Sequence, residues 1–324
     1  MKVAIIKFGA LGDVVRTTPI LQGIKEKFPD SEITWITIPI TKQILEGNPL
    51  IDKILLYPTK ITENFDILYS LDIEKEPSSL ANKINADKKF GFYDMDGFPM
   101  AFNPEAEYYL NTVFDDELKI KNRKTVQEMI FEVCDLKYHR QPIFINIDEQ
   151  AKINIFEFIK ENNLINKKLI GFNIGSSPRW PSKAWHPDRI KECIKRLKEK
   201  DYEIILLGGP EEIESMEKIK SELRSDGIIV YGKNTSNSLQ DFFALIDICD
   251  KIICADTLAI HVSLGLKKLT IALFFCTPPW EIEDYGIGKK ITSPMLMDFF
   301  PEKMDQYDEE LVKSISVEEV LENF

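Results

Sequence analysis

Histidine is scarce in this chain: His139, His186 and His261 are the only three in 324 residues. They are too few and too dispersed for a histidine-rich metal site. Cysteine is also little used. Cys134, Cys193, Cys249, Cys254 and Cys276 are odd in number, scattered, and without the C-x-x-C spacing of zinc sites. That argues against a disulfide framework, and reduced, buried thiols in a cytoplasmic protein are expected. Positive charge is in deficit, with a formal net charge of −12. Phosphate repels a protein of that sign overall, which excludes a general nucleic-acid binder while allowing a local basic site. No apolar run approaches the roughly 18–20 residues that span a bilayer. The apolar run at residues 1–8 meets Gly9 too soon for a secretory segment. No G-x-G-x-x-G fingerprint and no G-x-x-x-x-G-K-[ST] loop occurs, so dinucleotide and Walker-type binding are disfavoured. Internal repeats and low-complexity tracts are missing as well.

What is present is an ordinary soluble composition, 44% hydrophobic and 29% charged, in a chain long enough for two domains. Apolar runs of strand length alternate with helical patterns. The first series contains strands VAIIKF (3–8), EITWITI (32–38), KILLY (53–57), FDILYSL (65–71) and KFGFY (89–93). Helices are expected from about Asp13 or Thr18 to Phe28, near 41–47 and near 77–85, with Pro19 in or near a first turn. Residues 115–136 read as a charged turn leading into an amphipathic helix. PIFINI (142–147) reads as a strand and 150–163 as a helix. After NLINKK (163–168) the alternation restarts with strands at 169–175, 203–209, 228–232, 251–256 and 269–275. Helices at 188–198, 211–223, 238–247 and 257–265 lie between them. Continuous apolar strands alternating with helices predict parallel sheets covered on both faces. The expected organisation is an α/β chain of two doubly wound domains, 1–165 and 166–300, with an acidic tail at 301–324 ending in a helix. Ligands of such sheets bind at the carboxyl ends of strands, and two domains place the site in the cleft between them.

Four clusters fall at strand ends. FGALGD (8–13) sets Asp13 on a glycine turn after the first strand. A functional carboxylate and a helix N-cap are equally good readings of Asp13 taken alone. NIGSSPRWPSKAWHP (173–187) brings Ser176, Ser177, Arg179 and Lys183 between a strand and a helix. Hydroxyls, backbone N–H groups and cations there suit a phosphate; a solvated loop with packed tryptophans is the alternative. In GGPEE (208–212), Glu211 or Glu212 can hold a ribose, although an acidic first helical turn explains either glutamate as well. In CADTLAIH (254–261), Asp256 ends a strand, Thr257 and Leu258 open a helix, and His261 follows one turn later. A D-x-D triplet, Asp94-Met95-Asp96, lies beside Gly97 and Pro99, which is turn chemistry rather than a metal site.

Taken together, FGALGDVVRTTP, SSPRWPSKAWHP, and DTLAIHVSLGLKK followed by ALFFCTPPWEIEDYG resemble glycosyltransferase family 9, the ADP-heptose:lipopolysaccharide heptosyltransferases. GNPLIDKIL (47–55) and residues 115–129 are similar to that family too, so the resemblance runs from residue 1 to about 293. It implies a GT-B fold, two Rossmann-like domains facing a central cleft, with the acceptor on the first domain and the nucleotide sugar on the second. It implies inverting transfer with no metal and no cofactor. Asp13 matches the general base and Lys183 the lysine at the donor diphosphate. Ser176, Ser177, Asp256, Thr257 and His261 match donor-binding positions, and Arg179, Glu211 and Leu258 are added as donor candidates. Leu258 replaces a usual glycine, and Phe275-Cys276 a usual Gly-Pro. The acceptor implied is an anionic glycolipid or surface glycan, reached by peripheral contact with the inner membrane surface. Gly12 with Lys119, Lys121, Arg123 and Lys124 of KIKNRK are the acceptor candidates, a solvated basic turn being the alternative. A second class is a sugar-nucleotide or glycan-binding protein of the same fold without catalysis, in which Asp13 is an N-cap only.

Overall fold

The computed structural model describes residues 1–233 and 238–324. The chain divides into two compact units, Met1–Asn146 with Trp280–Glu283, and Ile147–Pro279 with Asp284–Phe324.

The first unit runs β1 (Lys2–Ile6), α1 (Leu11–Thr17), α2 (Ile20–Lys27), β2 (Glu32–Thr37), α3 (Pro39–Leu45), β3 (Lys53–Leu56) and β4 (Phe65–Ser70). It continues with α4 (Lys75–Lys83), β5 (Ala86–Met95), β6 (Phe98–Ala101), α5 (Pro104–Phe114), α6 (Asp116–Lys121) and α7 (Val126–Val133). Its sheet has the order β3-β2-β1-β4-β5-β6, parallel except for the β5–β6 hairpin. Val3, Ala4, Ile5 and Ile6 are wholly buried, as a central strand covered on both faces requires. Asp96 and Gly97, both with positive φ, make the two-residue hairpin turn.

The second unit runs α8 (Glu149–Glu161), β7 (Lys168–Asn173), α9 (Pro187–Lys198), β8 (Tyr202–Leu207), α10 (Ile213–Ser225), α11 (Leu239–Asp247) and β9 (Lys251–Ala255). Then follow α12 (Leu258–Gly265), β10 (Leu269–Phe274), β11 (Gly288–Thr292), α13 (Leu296–Phe299), α14 (Glu309–Lys313) and α15 (Val317–Glu322). Its parallel sheet has the order β11-β10-β9-β7-β8. In both sheets the leading strand is flanked on one side by its successor and on the other by a strand reached after the chain has crossed back. The β1/β4 and β7/β9 junctions are therefore topological switch points, where loops diverge and leave room for a ligand.

Several expectations need correction. Of the two starts expected for the helix up to Phe28, the one near Thr18 matches α2, and a separate helix α1 replaces the longer reading from Asp13. Pro19 has no N–H to give the Val15 carbonyl, which instead accepts from the backbone N–H and the hydroxyl of Thr18 at 3.2 and 2.8 Å. PIFINI is an extended connector; Ile143 and Ile147 are buried, yet no ladder forms. The strand expected at 228–232 shrinks to one bridge between Ile205 and Tyr231, beside β8. The expected boundary at 165/166 lies inside the second unit. Helix α8 belongs there because Asn154 donates to Asp241 at 3.1 Å and the Asp148 N–H donates to Gln240 at 3.0 Å, both on or next to α11. Residues 301–324 are no free tail. Leu311, Val312, Ile315, Val317 and Val320 are buried in the second unit's core while the acidic residues between them face outward. The five cysteines are unpaired and buried.

Candidate active site

In the first unit, the loop after β1 lies over a charge pair. Lys7 and Asp72, at the ends of β1 and β4, form a salt bridge with side chains 9% and 1% exposed. The Lys7 ammonium also donates to the Leu71 carbonyl at 3.1 Å. The second oxygen of Asp72 accepts from the backbone N–H groups of Phe8 and, at 3.0 Å, Gly9. A Cβ on Gly9 would lie 2.9 Å from Lys7 Nζ and 3.2 Å from the Asp72 carboxylate, so glycine lets the loop rest on the pair without displacing the ammonium. Burial works against the charge on Lys7, but Asp72, then Asp13, outweigh it and hold the ammonium above its usual range.

Helix α1 opens at once. Its N-cap is Ala10, whose side chain has no acceptor to offer. Asp13 is therefore not the N-cap. It lies in the first turn, a favourable place for a carboxylate, with Gly12 beside it. Its Oδ1 pairs with Arg16 at 2.7 Å and its side chain is 38% exposed. Tyr109, from α5, lies within electrostatic range of Arg16, Lys7, Asp13 and Glu281, and its hydroxyl is pushed upward, mainly by burial. The basic segment is largely self-satisfied. Lys121 pairs with Glu117 at 3.1 Å, Lys124 with Glu132 at 2.7 Å, and Arg123 lies over the Trp280 ring at 4.5 Å. Lys119 stands half-buried on α6.

In the second unit, the loops after β7 and β9 carry a matching pair. Lys183 Nζ donates to Asp256 Oδ2 at 2.8 Å and to the Asp256 carbonyl at 3.1 Å, with side chains about equally exposed. Two of its three N–H groups are thus engaged. Lys183 and Arg179 both approach the Trp180 ring, at 5.9 and 4.8 Å. Thr257 caps α12 by accepting from the Ala259 N–H at 3.3 Å, and Asn173 donates to the same hydroxyl at 3.3 Å. Leu258 is half-buried at the first helical position and His261 is buried one turn on. The Cys276 thiol feels both Lys183 and Asp256, and burial pushes it up to about 11. Ser176 is half-buried, while Ser177 and Arg179 are exposed. Glu211 points to solvent. Glu212 is the inward residue, accepting from the Gly209 N–H at 2.7 Å, and a Cβ on Gly175 would lie 2.6 Å from its carboxyl carbon. Residues 301–324 brace this loop. Ser182 donates to the Gln306 carbonyl at 2.7 Å, and Trp185 to the Ile315 carbonyl at 3.2 Å.

The D-x-D triplet lies on the hairpin, with Asp94 and Met95 on β5 and Asp96 in the turn. Among the described residues, no group of three or more His, Cys, Asp or Glu side chains is arranged to hold a metal ion.

The family model of glycosyltransferase family 9 (heptosyltransferase) matches residues 77–301. This chain belongs to that family. It is 26% identical to lipopolysaccharide heptosyltransferase 1 of Campylobacter coli over 329 aligned residues, covering 92% of this chain and 93% of that protein. It is 24% identical to lipooligosaccharide heptosyltransferase 2 of Campylobacter jejuni, covering 85% and 82%. The solved glycosyltransferase family 9 protein of Veillonella parvula superposes with a TM-score of 0.79 at 20% identity, covering 99% of this chain and 95% of that one. E. coli ADP-heptose lipopolysaccharide heptosyltransferase II superposes at 0.71 and 18%, covering 100% and 97%. The fold is that of the GT-B glycosyltransferases, with two Rossmann-like units.

For this family 9 glycosyltransferase, the sequence singled out both members of the Lys183–Asp256 pair and offered Glu212 as an alternative to Glu211, but not Lys7, Asp72 or Tyr109. Two of these carried a signal. Lys7 interrupts an otherwise apolar strand, and Asp72 follows a buried strand just as Asp256 does. Tyr109 carried none, because α5 was not expected at all.

Proposed function

We propose that this enzyme transfers a heptose or related sugar from an ADP-linked donor to a lipopolysaccharide-core or other surface-glycan acceptor, inverting the anomeric centre without a metal. The observation that carries this reading is a charged cluster at the switch point of each unit, in a chain of this family. Relatives support the donor, since E. coli heptosyltransferase has been solved with ADP and with ADP-2-deoxy-2-fluoro heptose. Asp13 takes the proton of an acceptor hydroxyl as its oxygen attacks the anomeric carbon. The bond to the diphosphate breaks with the electron pair leaving on phosphate oxygen. Lys183 and the N–H groups at the start of α12 offset the developing charge. Asp256 orients the ammonium, Ser176 and Ser177 offer hydroxyls, and Glu212 rather than Glu211 faces the ribose. Gly12 and Lys119 stand on the acceptor side. Lys121, Arg123 and Lys124 are weaker acceptor contacts, because each already has a partner.

No helix among the described residues is long and apolar enough to cross a membrane. A cytoplasmic enzyme that meets its glycolipid at the inner membrane surface fits the acceptor proposed. The test is a transfer assay with ADP-heptose and heptose-deficient lipopolysaccharide core, run with and without EDTA. Wild type is active in both, and Asp13→Asn loses about 10²–10⁴ in rate with donor affinity retained. Activity that EDTA abolishes and Mg²⁺ or Mn²⁺ restores overturns the metal-free reading. A thermal-shift panel of ADP, UDP, GDP and CDP decides the nucleotide, since a ligand at about 100 times its Kd adds roughly 2.7 kcal/mol.

A further inference from the structure

The transfer as proposed leaves the buried lysine of the first unit without a role. An ammonium at the end of an apolar strand is expensive to desolvate, and an apolar pair of similar volume would often hold the same strands together as well. Here the charge is kept and built upon. One oxygen of Asp72 holds Lys7, and the other holds the Phe8 and Gly9 N–H groups, so the pair fixes the first two residues of the loop that delivers Asp13. Gly9 allows that loop to lie in contact with the ammonium. At the far end, buried Val14 and Val15 seat α1 on the core. The path from β1 to Asp13 is thus pinned at both ends, with a positive charge beneath it.

We propose that Lys7 is a positioning residue for Asp13, holding the loop and helix turn that carry it and supplying a fixed positive charge that favours its ionised form. The inference rests on Asp13 acting as the base. The groups that share this neighbourhood are Arg16 on the same helix, Tyr109 from α5, Glu281 from the returning segment, and Asp72 behind Lys7. Asp13 and Lys7 interact electrostatically, and opposite charges favour each other's charged forms. Arg16 rides on the helix it pairs with; Lys7 is fixed to the sheet and gives the carboxylate a reference that does not move with α1.

The experiment compares wild type, Asp13→Asn, Lys7→Met, Lys7→Arg and the double variant Lys7→Met/Asp72→Asn. The substrates are ADP-heptose and heptose-deficient core, kcat and KM are read from about pH 3.5 to 9 so that the acidic limb of a carboxylate base is covered, and folding is checked by circular dichroism. Lys7→Met is expected to lower kcat about tenfold or more with both KM values little changed. The acidic limb of its profile moves up by about one pH unit. Lys7→Arg recovers most of both. The double variant leaves no unpaired buried charge, so it folds even where Lys7→Met does not, and it keeps the kcat loss and the displaced limb. A double variant with wild-type kcat and an unmoved acidic limb overturns the proposal. If Asp13→Asn retains full activity, the reading of Asp13 as base has failed instead; an inactive Asp13→Asn beside normal Lys7 variants refutes only the role of Lys7.

Discussion

Each unit carries a lysine–aspartate pair at the switch point of its sheet, and the two pairs are built differently. Lys7–Asp72 is sealed: the aspartate is 1% exposed and serves two backbone N–H groups besides the lysine. Lys183–Asp256 is more open, at 16% and 15%, and its lysine sits in a short 3-10 turn, Pro181–Lys183, beside an indole ring. The same two residue types therefore do different work. Where water and ligand are excluded, the pair is part of the frame. Where they are admitted, the ammonium can hold its aspartate and still offer an N–H to an incoming phosphate.

The comparison is sharpest in stability. Asp72→Ala strands a buried ammonium and two backbone donors, and is expected to lower the unfolding free energy by about 3–5 kcal/mol. Asp256→Ala should cost clearly less, because water can reach Lys183. Denaturant midpoints of the two variants decide it, and equal losses would break the distinction. The reverse asymmetry is expected in catalysis. Lys183→Met should lose about 10²–10³ in kcat, as loss of one charge-stabilising donor usually does, while its melting temperature stays near that of wild type. A Lys183→Met protein that melts far earlier, with normal turnover once folded, would make this pair structural as well.

The smallest effect concerns pH. His186, at the start of α9 beside the Lys183 loop, is held below its usual range by burial and by the Lys313 charge, against Asp188 and Glu309. A histidine depressed in the folded state contributes stability above its unfolded pKa of about 6.5 and loses it as pH falls through the folded value. Between pH 7.5 and 5.5, the second unit of wild type should lose stability, and His186→Gln should lose less. Identical slopes for the two proteins, followed by a fluorescence signal from Trp180 and Trp185, would remove His186 from the account.

Much of this molecule was legible in its residues. The apolar runs at 3–8, 32–38, 65–71, 169–175, 251–256 and 269–275 became central or inner strands, because a strand buried on both faces has to be apolar throughout. The strand-end aspartates Asp13 and Asp256 were found because a carboxylate placed there needs a reason. The expected strands at 142–147 and 228–232 looked the same locally, but a ladder needs a neighbour, and whether one lies alongside is not written in six residues. Glu211 and Glu212 are equivalent in sequence. Only the close approach of Gly175 and Gly209 makes one inward and the other a surface residue.

The order of apolar and polar residues by itself determined the α/β class, the two βα series and the strand ends where chemistry gathers, since these follow from local periodicity and turn chemistry. The tertiary structure decided which charges meet. Lys7 finds Asp72 across 65 residues, Lys183 finds Asp256 across 73, and residues 301–324 fold back to brace the Lys183 loop. Those pairings depend on which strands become neighbours at each switch point, and that is fixed by burying both faces of a whole sheet rather than by any stretch of sequence.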